Sequence, residues 1–192
     1  MLLHQLAELD VSKNTVLTTL SCYSNQLMEL DVSKNTALMY LDCSGNHLME
    51  LDVIENTSLT SLSCYYNHLS SLDVSKNTAL TYLICYSQSV YVLKLTKQSD
   101  DLYYLNLKDC VSCDLSRVSN VVDSNSADYD AEAGIAEFNY LPSWAVSYNY
   151  DTQYNSSSDS RYMSVYLYAA PEPSIVTSYQ NDIEVIHSGN VN

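Results

Sequence analysis

The sequence predicts a β-rich solenoid: short parallel strands stacked coil on coil, few or no regular helices on the convex side, and a small antiparallel β cap at the C-terminal end. Three observations predict it. Leu9, Leu30, Leu51, Leu72 and Leu93 recur every 21 residues, and Cys22, Cys43, Cys64 and Cys85 keep the same interval. Two asparagine columns share that interval, Asn14, Asn35, Asn56 and Asn77, and Asn25, Asn46 and Asn67. Beyond Cys113 the period stops, and apolar and polar residues alternate instead. Self-similarity at a fixed period of this length marks a stack of like units that share one core.

Each unit divides into a strand and a shorter second arc. LTTLSCYSNQL (Leu17 to Leu27) follows the pattern L-x-x-L-x-L-x-x-N-x-L with Cys in the third apolar slot. LMYLDCSGNHL and LTSLSCYYNHL repeat it, LTYLICYSQSV repeats it loosely, and LDVSKNTAL is the intervening arc. Each Leu-x-Cys reads as a short strand with both apolar side chains inward and the flanking residues outward. One coil cannot bury its Leu, Val and Cys side chains alone, so coils stack with strands ~4.8 Å apart. The Asn closing each strand is expected to bond the backbone of its own turn and of the next coil. LYYLNLKDC (Leu102 to Cys110) reads as a fifth strand, displaced by one residue, with Cys110 on the Asn position.

These motifs resemble the leucine-rich-repeat family, in the 21-residue bacterial type seen in surface proteins of gut bacteria and, more distantly, in internalins. The resemblance covers about residues 1–110. It implies a secreted or cell-surface protein that binds a partner. By phase, Met1 occupies a Cys slot and His4 an Asn slot, so the chain is expected to be a fragment or to lack its leader and first coils. An uncapped first coil would leave an edge suited to association with a second molecule.

Past the repeats, GIAEFNYL, WAVSYNYDT and YMSVYLYAA alternate in strand fashion, and VVDSNSADYD and NSSSDS read as loops. LSRVSN followed by these strands resembles the short β cap of the same bacterial proteins. Pro171 to Ser174 reads as a linker. The last residues start a further β segment that resembles C-terminal sorting modules of Bacteroidetes. The expected organisation is therefore a solenoid of about five coils over 1–113, a cap over 114–170, and a linker with a further β segment over 171–192.

Charge narrows the partners. The formal net charge is −15 with eight Lys and Arg, so there is no basic patch for nucleic acid. An anionic membrane surface is disfavoured for the same reason. No run approaches the ~18 apolar residues of a membrane span. MLLHQLAELDV lacks the basic start and unbroken apolar stretch of a signal peptide.

Several residues invite a chemical reading. The Cys column spans three rungs, ~14 Å, which is too far for one zinc ion, and adjacent rungs are too far apart for disulfides, so core packing is expected. Cys110 and Cys113 form a lone C-x-x-C, either two thiols closing the solenoid or a local disulfide. Asp10, Asp31, Asp52 and Asp73 are expected to accept backbone bonds in their turns rather than to hold calcium. His4, His47, His68 and His187 have no nucleophile or carboxylate at a recognised spacing. No cofactor, metal or catalytic residue is expected.

The outward strand positions are more informative. Tyr23, Tyr40, Asp42, Tyr65, Tyr66, Tyr82, Ile84 and Tyr86 form a row that Tyr104 is expected to continue, with Thr and Ser between them. Tyrosine gives large amphipathic contact at low entropic cost, and charged residues are nearly absent from this row. β-strands also favour Tyr and Thr on propensity alone. The expected function is a non-catalytic binding module that recognises a protein or glycan through this concave Tyr/Ser-rich face. The alternative is a structural spacer or stalk displaying another domain of a longer surface protein.

Overall fold

The computed structural model describes residues 5–91, 95–99, 102–109, 111, 113–122, 128–138, 145–154, 162–168, 174–179 and 182–187. The chain forms two compact units, residues 1–89 with 150–165 and residues 90–149 with 166–192.

The first unit is built on β1 (Thr19–Ser21), β2 (Tyr40–Asp42), β3 (Ser61–Ser63) and β4 (Tyr82–Ile84), which form one parallel sheet in chain order. The register is what a strict period demands: Leu20, Leu41, Leu62 and Leu83 stand opposite one another. Leu41, Leu62, Cys43 and Cys64 are fully buried, while Tyr40 and Tyr82 on the other face are exposed. In the second arc Val32, Val53, Leu38 and Leu59 complete the core. Its turns also repeat, Asn35 N donating to Val32 O at 2.9 Å and Leu38 N to Asn35 O at 3.0 Å. The ladder aspartates cap these turns as expected. Oδ1 of Asp10, Asp31, Asp52 and Asp73 accepts the amide two residues on, at 2.8 to 2.9 Å. The hydroxyl and amide of Ser12 lower the pKa of Asp10, and the amide and hydroxyl of Ser33 lower that of Asp31.

Two amide columns stitch coil to coil. Nδ2 of Asn67 donates to Cys64 O at 3.0 Å in its own turn and to Cys43 O at 3.1 Å, while its Oδ1 accepts Leu48 N at 3.1 Å. Asn46 does the same with Cys43, Cys22 and Leu27. The second partner is thus the preceding coil, not the next one expected from the sequence, because the side chain reaches back along the stack. Gln88 takes the Asn place on the fourth rung and makes the equivalent bonds to Cys85, Cys64 and Leu69. In the second arc Nδ2 of Asn56 reaches Val32 O and Asn35 O, both at 2.9 Å. Asn35 and Asn77 repeat that pair of bonds one coil before and one coil after.

Among the described residues the parallel sheet has four strands, β1 to β4. Among the later strands, β5 (Gln88–Val90), β6 (Leu95–Ser99), β7 (Leu102–Asn106), β8 (Val118–Val122), β9 (Asp128–Asp130), β10 (Ile135–Phe138), β11 (Ala145–Asp151), β12 (Tyr162–Tyr168), β13 (Ser174–Tyr179) and β14 (Asp182–His187) form two sheets, ordered β14-β13-β6-β7-β10-β9 and β5-β12-β11-β8. β7 runs antiparallel to both β6 and β10, so Leu102 to Asn106 is not the fifth rung that its leucines predict. Leu105 packs inward with Leu107, Ala136 and Phe138, all buried. An alternating strand carries no mark of its direction or partner, and here antiparallel pairing buries the same leucine.

Alternate residues of β11 and β12 are buried, Val146, Tyr148 and Tyr150 on one and Met163, Val165 and Leu167 on the other. VVDSNSADYD is only partly loop, since its two ends belong to β8 and β9, and Tyr129 on β9 stands opposite Ala136 on β10. β13 pairs with β14 in a hairpin and parallel to β6, which places both in the six-stranded sheet. Cys110, NSSSDS (155–160) and the linker residues 171–173 lie outside the described residues. Regular α-helix is absent among the described residues, which contain 3-10 turns at Leu107–Asp109 and Leu115–Arg117, and no helix is long and apolar enough to cross a membrane.

Candidate functional site

The outward face of the parallel sheet is set by register. Thr19, Tyr40, Ser61 and Tyr82 form one column, and Ser21, Asp42, Ser63 and Ile84 a second. Backbone pairing continues past the strands, with Ser24 N on Ser44 O and Gly45 N on Tyr65 O at 2.9 Å and Tyr66 N on Tyr86 O at 3.3 Å. That pairing brings Tyr23, Ser44, Tyr65 and Tyr86 into a third column.

Tyr65 and Tyr86 stack at 5.4 Å between ring centroids and 22° between planes. Tyr66 closes the cluster edge-on, 5.2 Å from Tyr65 and 6.2 Å from Tyr86. Tyr66 is 59% exposed and Tyr86 49%, so the rings pack on each other and still offer area to solvent. Tyr23, Tyr40 and Tyr82 are exposed too, whereas Ile84 is half-buried. Oδ1 of Asp42, also half-buried, accepts the hydroxyl of Ser44 at 2.6 Å and its amide at 3.1 Å, which fixes the carboxylate. Tyr104 does not continue this row. It lies on β7 opposite Glu137, and burial followed by the Glu137 charge raises its phenol pKa.

Backbone geometry singles out Tyr66. Ser24, Gly45, Tyr66 and Ser87 occupy the same repeat position, and all four have positive φ, 54°, 63°, 52° and 57°. The left-handed region costs an L-residue roughly 1–2 kcal/mol and suits glycine, which holds the position on one coil only. A bulky aromatic held there is a local cost that only surrounding structure can support, and such positions cluster at functional sites. The sequence signal was present: one glycine in a column of otherwise larger residues.

The cysteine column is chemically quiet. Cys22, Cys43, Cys64 and Cys85 are free and buried, and Cys43 Sγ donates to Ser63 O at 3.6 Å. Burial pushes Cys22 up to about 11, with a smaller push from the Asp42 charge, and Cys85 up to about 12. Burial raises Cys43 and Cys64 as well. The thiolate is the reactive form, so these side chains act as small core hydrophobes at neutral pH. Cys113 is free, and burial holds its thiol at about 11.

An acidic groove, not read from the sequence, runs over Glu8, Glu29 and Glu50 with the exposed side chains of Met28 and Met49. Its signal was a further 21-residue column, that of the glutamates.

A parallel stack of leucine strands, in register every 21 residues and tied by asparagine amides to the coil before, is a leucine-rich-repeat solenoid. Comparison with solved structures places the same fold in bacteria. The functional domain of InlJ from Listeria monocytogenes, which includes a cysteine ladder, is similar with a TM-score of 0.59 and 24% sequence identity, over 85% of this chain and 36% of that one. This chain thus spans about a third of that domain's length. The Listeria monocytogenes internalin-like protein lmo2027 matches over 79% of this chain and 64% of that chain, with 13% identity and a TM-score of 0.36. No protein-family model and no curated protein matches the sequence.

Proposed function

We propose that this chain is a non-catalytic binding module of a secreted or cell-surface protein, which recognises a protein or glycan through the outward face of its parallel sheet. One observation carries the reading: Tyr65, Tyr66 and Tyr86 form a three-ring cluster that remains half exposed. Rigid aromatic rings beside a fixed carboxylate and serine hydroxyls are the materials of recognition surfaces, and stacked faces accept sugar rings and apolar side chains alike. The left-handed backbone of Tyr66 adds to this, since a residue chosen for stability alone at that position would be glycine.

Two variants test it. The purified chain is screened on glycan and extracellular-protein arrays beside Tyr65→Ala/Tyr86→Ala, which is expected to lose the hit while keeping its circular dichroism spectrum. Undiminished binding by the double variant overturns the assignment of this face, and silence of the parent chain on every array favours the spacer reading. Tyr66→Gly is expected to raise stability by about 1 kcal/mol, through relief of the left-handed penalty, and to weaken binding. A variant that loses stability shows that the ring packing outweighs the strain.

A further inference from the structure

Adjacent columns of the repeat border one groove on the first unit. The chain reads Met-Glu-Leu-Asp at 28–31 and again at 49–52, and Glu8, Leu9 and Asp10 hold the same places one coil earlier. The leucines turn inward, Leu30 and Leu51 being buried, and the glutamates and aspartates stay exposed on either side of them. Met28 and Met49 are exposed as well, 66% and 62%, so neither side chain serves the core. Together these residues border an open groove of about 750 Å3. With rungs ~4.8 Å apart, a wall that crosses three coils is ~9.6 Å long.

The groove is anionic on both walls. Glu8, Glu29 and Glu50 form one and Asp10, Asp31 and Asp52 the other, and no lysine or arginine lines it among the described residues. The aspartates are fixed by the turn amides they accept. The glutamates have no hydrogen bond or ion pair among the described residues, so their charges are not neutralised within the chain. Like charges set side by side on neighbouring strands repel. The solenoid does not require this arrangement, because the next coil carries Ser70 and Ser71 in the methionine and glutamate places.

We propose that this groove is the docking site of an extended Lys/Arg-rich segment of a partner protein, a second interaction surface built from other residues than the tyrosine cluster. Charge complementarity selects that occupant. Facing rows of carboxylates attract a cationic segment, fix its register and steer its approach to a chain of net charge −15. The methionines select the kind of cation. Lysine and arginine lay their methylene stems on apolar surface and keep the charged head outside it, and flexible methionine adapts to such stems. Two side chains from one face of an extended segment, ~6.8 Å apart, fit within the ~9.6 Å wall. A metal ion would use the carboxylates and draw nothing from Met28 or Met49.

The test is fluorescence anisotropy of a labelled octalysine peptide titrated with the full chain at low salt. Binding of one peptide per chain is expected, with affinity falling as salt screens the carboxylates. Glu29→Gln/Glu50→Gln is expected to weaken it roughly tenfold. Glu55→Gln/Glu132→Gln removes as much charge from exposed positions outside the groove and is expected to change it less than about twofold. Met28→Ser/Met49→Ser, which copies Ser70 of the next coil, is expected to weaken binding roughly threefold. Every substituted side chain is exposed, so all three variants keep the thermal melt of the parent. No binding of octalysine, equal weakening by the two charge pairs, or full affinity without the methionines overturns the proposal. Calcium chloride that displaces the peptide mole for mole, with the methionines immaterial, overturns it too and makes the groove a cation site.

Discussion

Leu62→Ala is expected to cost about 3–5 kcal/mol of folding stability, the range for a fully buried leucine whose cavity cannot collapse. Leu62 has no solvent exposure and lies between Leu41 and Leu83, its direct partners on both neighbouring strands. Those strands are held by backbone bonds above and below, so neither can close the gap without breaking register. In a chain of this size the loss corresponds to a fall in melting temperature of roughly 6–20 °C. The repeat supplies an internal control. Leu20 occupies the identical slot on β1, which has one strand neighbour among the described residues, and it is half-buried. Leu20→Ala is expected to cost about 1–2 kcal/mol, because less surface leaves water when that leucine packs. Urea melts of both variants check the difference. Equal costs would mean that burial in the stack is not what stabilises this unit.

How much of this was visible before any coordinates is decided by what a period can encode. The interval of 21 fixes which residues stack, so the leucine, cysteine and asparagine columns and the in-register pairing of β1 to β4 follow from it directly. Tyr65 and Tyr86 fall in one column for the same reason. What a period cannot encode is where the stack stops. Leu102, Leu105 and Leu107 keep leucine spacing, but a strand that alternates inward and outward fits an antiparallel neighbour as well as a parallel one. Only the pairing of β7 with β10 settles the case. Tyr104 was therefore placed in the row by pattern and is outside it by topology. The direction of the amide bonds was also invisible, since the spacing that lets Asn67 reach the next coil lets it reach the preceding one. The histidine pair shows the same limit: position puts His47 beside His68, yet the bond from His68 to the carbonyl oxygen of Ser89 is one that no side-chain pattern records.

Asn67→Leu is expected to cost about 2–4 kcal/mol although it replaces a polar residue in the core with an apolar one of similar volume. The reason is what it leaves behind. Asn67 is 1% exposed and satisfies Cys64 O, Cys43 O and Leu48 N, three backbone groups on two coils. Leu48 N is left without a partner, which costs about 1–3 kcal/mol, while Cys43 O and Cys64 O keep Asn46 and Gln88 and lose one bond each, at about 0.5–1.5 kcal/mol, and the three losses are not fully additive. Asn56→Leu should cost less, about 1–2 kcal/mol. Its Nδ2 serves Val32 O and Asn35 O, which keep the amides of Asn35 and Leu38, and its Oδ1 has no partner among the described residues, so no backbone group is orphaned. Asn67→Gln should recover part of the loss, because Gln88 already makes the equivalent three bonds one rung away. The order Asn67→Leu, then Asn56→Leu, then Asn67→Gln in denaturant melts is the measurement. If Asn56→Leu proves the costliest, the strand-end amides are not the principal tie between coils, and the turns of the second arc hold that role instead.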